Sequence, residues 1–247
     1  TSKIFKEKLP EWKKDRDAVI DRCFYRPLSF HVAAFCANCG IKANTISGLS
    51  AIVGVVACIL IGIPNPVSGT IGSLILIFWI ILDDTDGNLA RVVSSQPYGE
   101  YMDAMSSYIL IGFLFLALGI RSFYLGTILH VPQETYLIMG ALTSISGVLM
   151  SLLYQKFVQV SLAYGKNERL AFDGSNSGRL MKIKTKIDMN LSVGGILPVL
   201  ITICILINTT ELVVIVWFIY HLAEFIATVL YFLYKVNIGS VALHIKG

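Results

Sequence analysis

From Ile71 to Leu82 the chain carries no charge, then reads Asp83-Asp84-Thr85-Asp86 without a break. A second uncharged run, Tyr108 to Ile120, begins five residues after Asp103. A bilayer crossing needs about 20 predominantly apolar residues as a helix. Acids joined directly to such segments are expensive to keep, so they mark a functional site by default.

On a helix Asp83 and Asp86, three apart, share a face, and Gly87 and Ala90 continue it with little bulk. Asp103 falls on the next helix, after a short polar connection containing Pro97. Two antiparallel helices therefore bring three carboxylates together. Unpaired, these would repel one another and be driven towards protonation. A hard divalent cation relieves that repulsion, since Mg2+ takes a few carboxylates together with substrate phosphates. Arg91 is placed to pair with a phosphate. Asp84 points about 100° away from Asp83 and is expected to face another helix or water.

The frame Asp83-x2-Asp86-Gly87-x2-Ala90-Arg91-x7-Gly99-x3-Asp103 resembles the motif of the CDP-alcohol phosphotransferase family. Members are membrane enzymes that move a substituted phosphate from a CDP-linked donor to an acceptor hydroxyl and release CMP. The resemblance implies metal binding, Mg2+ or Mn2+, by Asp83, Asp86 and Asp103. It implies a CDP-donor site at Asp83, Asp86, Gly87, Ala90, Arg91 and Gly99. Asn44, in a stretch similar to one that opens the family's first span, either joins that site, bonds a neighbouring helix or caps its own. The donor is a CDP-diacylglycerol or a small CDP-alcohol, and the acceptor a lipid or another alcohol. In one position the chain departs from the motif. A fourth Asp, four residues beyond Asp103, acts in the family as general base, and here it is Ser107. A serine hydroxyl is no base near neutral pH, so Glu100, two turns before Ser107, and Asp103 are the substitute candidates. The alternatives to an active transferase are a catalytically silent homologue that binds CDP and metal, and an ion-coupled transporter.

The whole chain suits a membrane fold. Of 247 residues, 55% are hydrophobic and only 15% charged, against roughly a quarter charged in soluble domains. The expected architecture is all-α: six transmembrane helices near 44–63, 69–90, 101–121, 135–160, 191–208 and 211–234, preceded by an amphipathic juxtamembrane helix. Residues 1–42 form the N-terminal segment, 43–235 the membrane domain and 236–247 a tail. Of the 20 Lys and Arg, nine lie in residues 1–42 and seven between Lys156 and Lys186, while Arg121 is isolated on the opposite side. The positive-inside rule then places both termini and the acidic site in the cytoplasm. The first 17 residues, rich in Lys, Glu and Asp, do not read as a cleavable signal peptide.

The net charge of +4 is an orientation signal with some attraction to anionic headgroups, and it gives no reason to invoke nucleic acid. Residues 9–35 alternate apolar and charged side chains as an interfacial helix does, and Arg26 there is a candidate phosphate contact. Cys36 and Cys39 have metal-ligand spacing without a second pair, and read as small buried residues. Lys166–Arg169 and Gly174–Gly178 belong to a polar loop that serves as lid or linker. His221 and Glu224, three apart in the last span, are expected to face the bundle, as a packing hydrogen bond or as a polar contact in a homodimer.

Overall fold

A computed structural model describes residues 1–126, 128, 131–164 and 179–244; of these, the side chains at 15, 16, 179–182 and 238–244 are left aside. The polar loop with Lys166–Arg169 and Gly174–Gly178 lies outside the described residues. The protein is all-α, with no strand among the described residues.

The N-terminal segment holds α1 (Ser2–Glu7), α2 (Glu11–Arg16), a π-helical turn (Asp21–Tyr25) and α3 (Arg26–Asn38). Four long helices follow: α4 (Ala43–Gly62), α5 (Pro66–Val92), α6 (Gly99–Leu125) and α7 (Glu134–Ala163). Then come α8 (Arg179–Leu191), the short α9 (Leu197–Leu206) and α10 (Thr210–His244). Five of these are long and apolar enough to cross a membrane: α4, α5, α6, α7 and α10 over Thr210–Asn237.

The run expected as a span at 191–208 is shorter as a helix, Leu197–Leu206. Gly194 and Gly195 explain the loss. Ile196 donates its N–H back to the Asn190 carbonyl at 2.8 Å, and a side chain at Gly195 would fall 2.6 Å from the Asn190 carbonyl carbon. The chain therefore turns over 192–196 before α9 starts at Leu197-Pro198.

Helix α5 organises the bundle. Asn65 caps it by accepting from Val67 and Ser68, and Pro66 supplies a pre-set first turn. Its 27 residues, about 40 Å at 1.5 Å each, carry the acidic motif on an unbroken helix. The main core joins Ile61 of α4, Leu76 and Trp79 of α5, Leu114 of α6, Ile201 of α9 and Trp217 of α10. A second core seats the N-terminal segment on the motif end: Phe5, Phe30 and Ala33 pack with Ile46 of α4 and Leu82 and Leu89 of α5. Crossings rely on glycine. A methyl at Gly72 would lie 2.8 Å from the Ile61 nitrogen, and one at Gly140 2.8 Å from Gly119 Cα.

Arg121 is fully buried at the end opposite the acids, donating to the carbonyls of Ile63 (2.8 Å) and Asn65 (3.2 Å). It ties α6 to the α4–α5 hairpin. At that same end Ser122 of α6 bonds Thr210, the first residue of α10, at 3.2 Å.

Candidate active site

Asp83 and Asp86 share the motif end of α5, and Asp103 near the start of α6 is close enough for Asp83 to feel its charge as well as that of Asp86. Carboxyls this close need a proton or a cation between them. One oxygen of Asp83, Oδ1, is buried without any hydrogen-bond partner. Asp86 is better supplied, because Ser47 of α4 donates to its Oδ2 at 2.6 Å. Among the described residues, however, no group of three or more His, Cys, Asp or Glu is set to hold a metal ion as it stands. The donors have the hard-oxygen chemistry of a Mg2+ site, with an unsatisfied oxygen facing inward, but they are not drawn into a closed cage.

Asp84 goes elsewhere, and takes Arg26 with it. The Arg26 Nη1 pairs with Asp84 Oδ1 at 2.6 Å. Its Nε and Nη2 bond Asp17 at 3.0 and 2.6 Å, and Nη2 also reaches Asp21 at 3.0 Å. Burial disfavours the charge on this guanidinium, but Asp84, Asp21 and Asp17 outweigh it and hold Arg26 above its usual range. Asp21 pays for the crowding: burial lifts its carboxyl above the ordinary value despite the opposing pull of Asp84 and Arg26. Arg26, expected as a phosphate contact, is thus the clasp between the N-terminal segment and α5. Beside it Tyr25 is wholly buried, and burial pushes its hydroxyl up to about 12.

The same segment brings a residue that the sequence reading passed over. Lys13 lies 4.0 Å from Asp17, and its charge reaches both Asp83 and Asp103. Its only sequence signal is its place among alternating charges, which does not tell an inward lysine from a solvated one.

The remaining motif positions are distributed as follows. Arg91 is exposed and donates to Asn88 Oδ1 at 2.9 Å, while Asn88 donates to Ser29 Oγ of α3 at 2.9 Å. A methyl at Gly87 would meet the Arg91 guanidinium at 3.2 Å, so the space above this glycine is taken by Arg91. Ala90 is half-buried against the second core. Gly99 begins α6 directly after Tyr98, whose φ is 63°, and a methyl on it would lie 3.5 Å from Asn44 Oδ1. Asn44 itself fastens the α5–α6 connection: its N–H donates to Gln96 Oε1 and its Nδ2 to the Pro97 carbonyl, both at 2.9 Å.

Glu100 is exposed at the start of α6, with its charge felt by Asp103. Ser107 is half-buried one turn beyond Asp103. Its neighbour Ser106 takes the interior position instead, bonded to Ser50 at 2.7 Å and to Trp79 at 3.3 Å.

His221 and Glu224 do not form the pair that their spacing suggests. The His221 ring packs edge-on against Phe115, 5.1 Å between centroids, with Nδ1 buried and unbonded. Glu224 instead accepts from Lys184 of α8 at 3.1 Å. Lys184 also pairs with Asp188 at 2.6 Å, and Tyr220 donates to Asp188 at 2.6 Å. The five cysteines are free, with Cys36 and Cys58 buried. An apolar cavity of about 440 Å3, between Cys58 and Gly62 of α4 and Phe113, Ala117 and Tyr124 of α6, contains none of the acids. Compared with known proteins, the sequence matches no family model and no curated relative.

Proposed function

We propose that the chain is a membrane transferase of the CDP-alcohol phosphotransferase type. It would take a CDP-diacylglycerol or a small CDP-alcohol, pass the substituted phosphate to a lipid or alcohol hydroxyl, and release CMP. The observation that carries this reading is the meeting of Asp83 with Asp86 and Asp103 across α5 and α6. They stand on the residues of the motif and beside a lysine able to meet a phosphate.

In this reading Asp83, Asp86 and Asp103 would hold Mg2+ or Mn2+, which would supply positive charge to the donor pyrophosphate and to the departing CMP. Asp83 offers the unbonded oxygen, and Ser47 fixes the orientation of Asp86. Lys13 and Arg91 add positive charge at the two edges of the acids, where phosphate oxygens would lie. The acceptor oxygen attacks phosphorus, the bond to CMP breaks, and the hydroxyl proton passes to a carboxylate. With Ser107 unable to take it, Glu100 is the assigned base: it is exposed and close enough for its charge to act on Asp103.

Six crossings suit this reading, with Leu197–Leu206 as the fifth. Val19 of the N-terminal segment donates to Asn190 Oδ1 at 3.0 Å, which holds the end of α8 against that segment. The next long helix starts at Thr210, against Ser122 at the far end. The chain from 191 to 209 would cross that interval, with Leu197, Ile201 and Ile205 burying one stripe of α9 in the bundle. The basic N-terminal segment and α8 then share the cytoplasmic side with the acids.

The test is metal-dependent CMP release by the purified protein, given a panel of CDP-alcohols and mixed lipid acceptors. Release that falls by 10²-fold or more in Asp86→Asn, the scale at which one transition-state contact is lost, establishes the transferase. Glu100→Gln then checks the base. A second reading, a homologue that binds CDP and metal without turnover, is favoured by Ser107. Under it the chain is silent while Ser107→Asp releases CMP. Silence from both variants, with no CDP-donor binding, would overturn both readings and favour the transporter.

A further inference from the structure

The N-terminal segment contains more than its motif-end packing uses. Its acids point inward: Asp17 and Asp21 are buried on Arg26, together with Asp84. Lys13 and Arg26 point inward with them. What remains outside is unbalanced. Among the described side chains of residues 1–25, Lys3, Lys6, Lys8, Lys14 and Arg22 are exposed against only Glu7 and Glu11. The segment is basic in sequence, and burial of Asp17 and Asp21 leaves its described surface with more than twice as many cations as acids.

Apolar side chains are exposed along the same segment, interleaved in sequence with these cations. Trp12 is 57% exposed, Val19 68%, Phe24 53% and Phe35 64%. In α3 the division is by face. Ser29, Phe30, Ala33 and Cys36 are buried against the bundle, while Leu28, His31 and Phe35 make an exposed stripe at i, i+3 and i+7. Large aromatic and branched side chains set among lysines suit a boundary between hydrocarbon and charged headgroups.

We propose that this face, residues 3–24 with the stripe of α3, is a docking surface for anionic lipid headgroups. The occupant is an acidic leaflet rather than a second protein copy, on grounds of charge complementarity. A second copy would set five cations against the same five cations, whereas anionic headgroups complement them all. Each Lys or Arg near an anionic leaflet is worth about fivefold in partition. Because Arg26 pairs with Asp84, next to Asp83, lipid held here also steadies the end of α5 that bears the acids. The inference stands without the transferase reading, since it uses neither donor nor metal.

Hydrogen exchange of residues 3–24 tests it. The full chain is placed in nanodiscs of neutral phosphatidylcholine, or of phosphatidylcholine mixed with anionic phosphatidylglycerol. Exchange is expected to slow several-fold in the anionic discs, with the slowing lost in high salt and in the triple variant K6E/K8E/K14E. All three lysines are exposed, so the variant removes no buried contact. Equal exchange in the two lipids would overturn the proposal, as would slowing that survives both salt and the charge reversals. Slowing that follows the number of protein copies per disc, and not the lipid, would overturn it in favour of self-association. Should the variant fail to insert, the salt dependence of the natural chain decides alone.

Discussion

Arg26 and Asp84 are far apart in sequence and become partners only when α3 lies against α5. Three carboxylates on one buried guanidinium leave little margin: without it, Asp21 and Asp84 lose the ion pairs that the structure gives them, and Asp17 keeps only the longer contact with Lys13. Arg26→Ala is therefore expected to destabilise the protein by about 3–5 kcal/mol, the range for removing one partner of a buried ion pair. Arg26→Lys should recover only part of this, since an ammonium cannot reach three carboxylates as a fork does. Thermal unfolding in detergent measures both, and Arg26→Ala melting with the parent would refute the clasp. The shared face of Asp83 and Asp86 was legible because helix period places residues three apart together, whereas the approach of Asp103 depends on how α6 returns past α5. Lys13 was not legible, because its direction depends on the fold of residues 1–25 over the acids. Nor was the division of labour between Ser106 and Ser107, where only the inward position of Ser106, against Ser50 and Trp79, tells the two apart.

Helices followed from hydrophobic runs, and their meetings followed from small residues. Along α6 and α7, Gly119 and Gly140 let two backbones touch: a methyl on Gly140 would strike the Phe115 carbonyl oxygen and stand 2.8 Å from Gly119 Cα. Neither neighbour is the tip of a flexible side chain, so the helices would have to part. Gly140→Ala is expected to cost about 1–3 kcal/mol, as overpacking does, and Gly140→Leu more. Thermal unfolding of the two variants checks the order, and a parent-like Gly140→Leu would mean that the helices do not cross there. The run at 191–208 shows the limit of composition. Its hydrophobicity reads as a full span, yet Gly194 and Gly195 admit a turn that shortens the helix to Leu197–Leu206. A count of apolar residues does not register where the backbone bends.

For the whole molecule, orientation is the open quantity with a direct measurement. With the basic segments inside, an impermeant maleimide should label the exposed Cys39 from the cytoplasmic face of sealed vesicles and not from the other, while the buried Cys36 and Cys58 stay protected. Labelling of Cys39 only from the opposite face would invert the topology. The sequence by itself determined that this is a helical membrane protein with a cluster of acids at one end, because hydrophobic length and helical period are local properties of the chain. Only the tertiary structure decided which acids face one another and which face Arg26. It also decided that Arg121 is a buried tie, and that Asp17 and Asp21 turn inward while most of the lysines of the N-terminal segment stay outside. Each of these depends on side chains far apart in sequence, whose partners are chosen by how the helices pack.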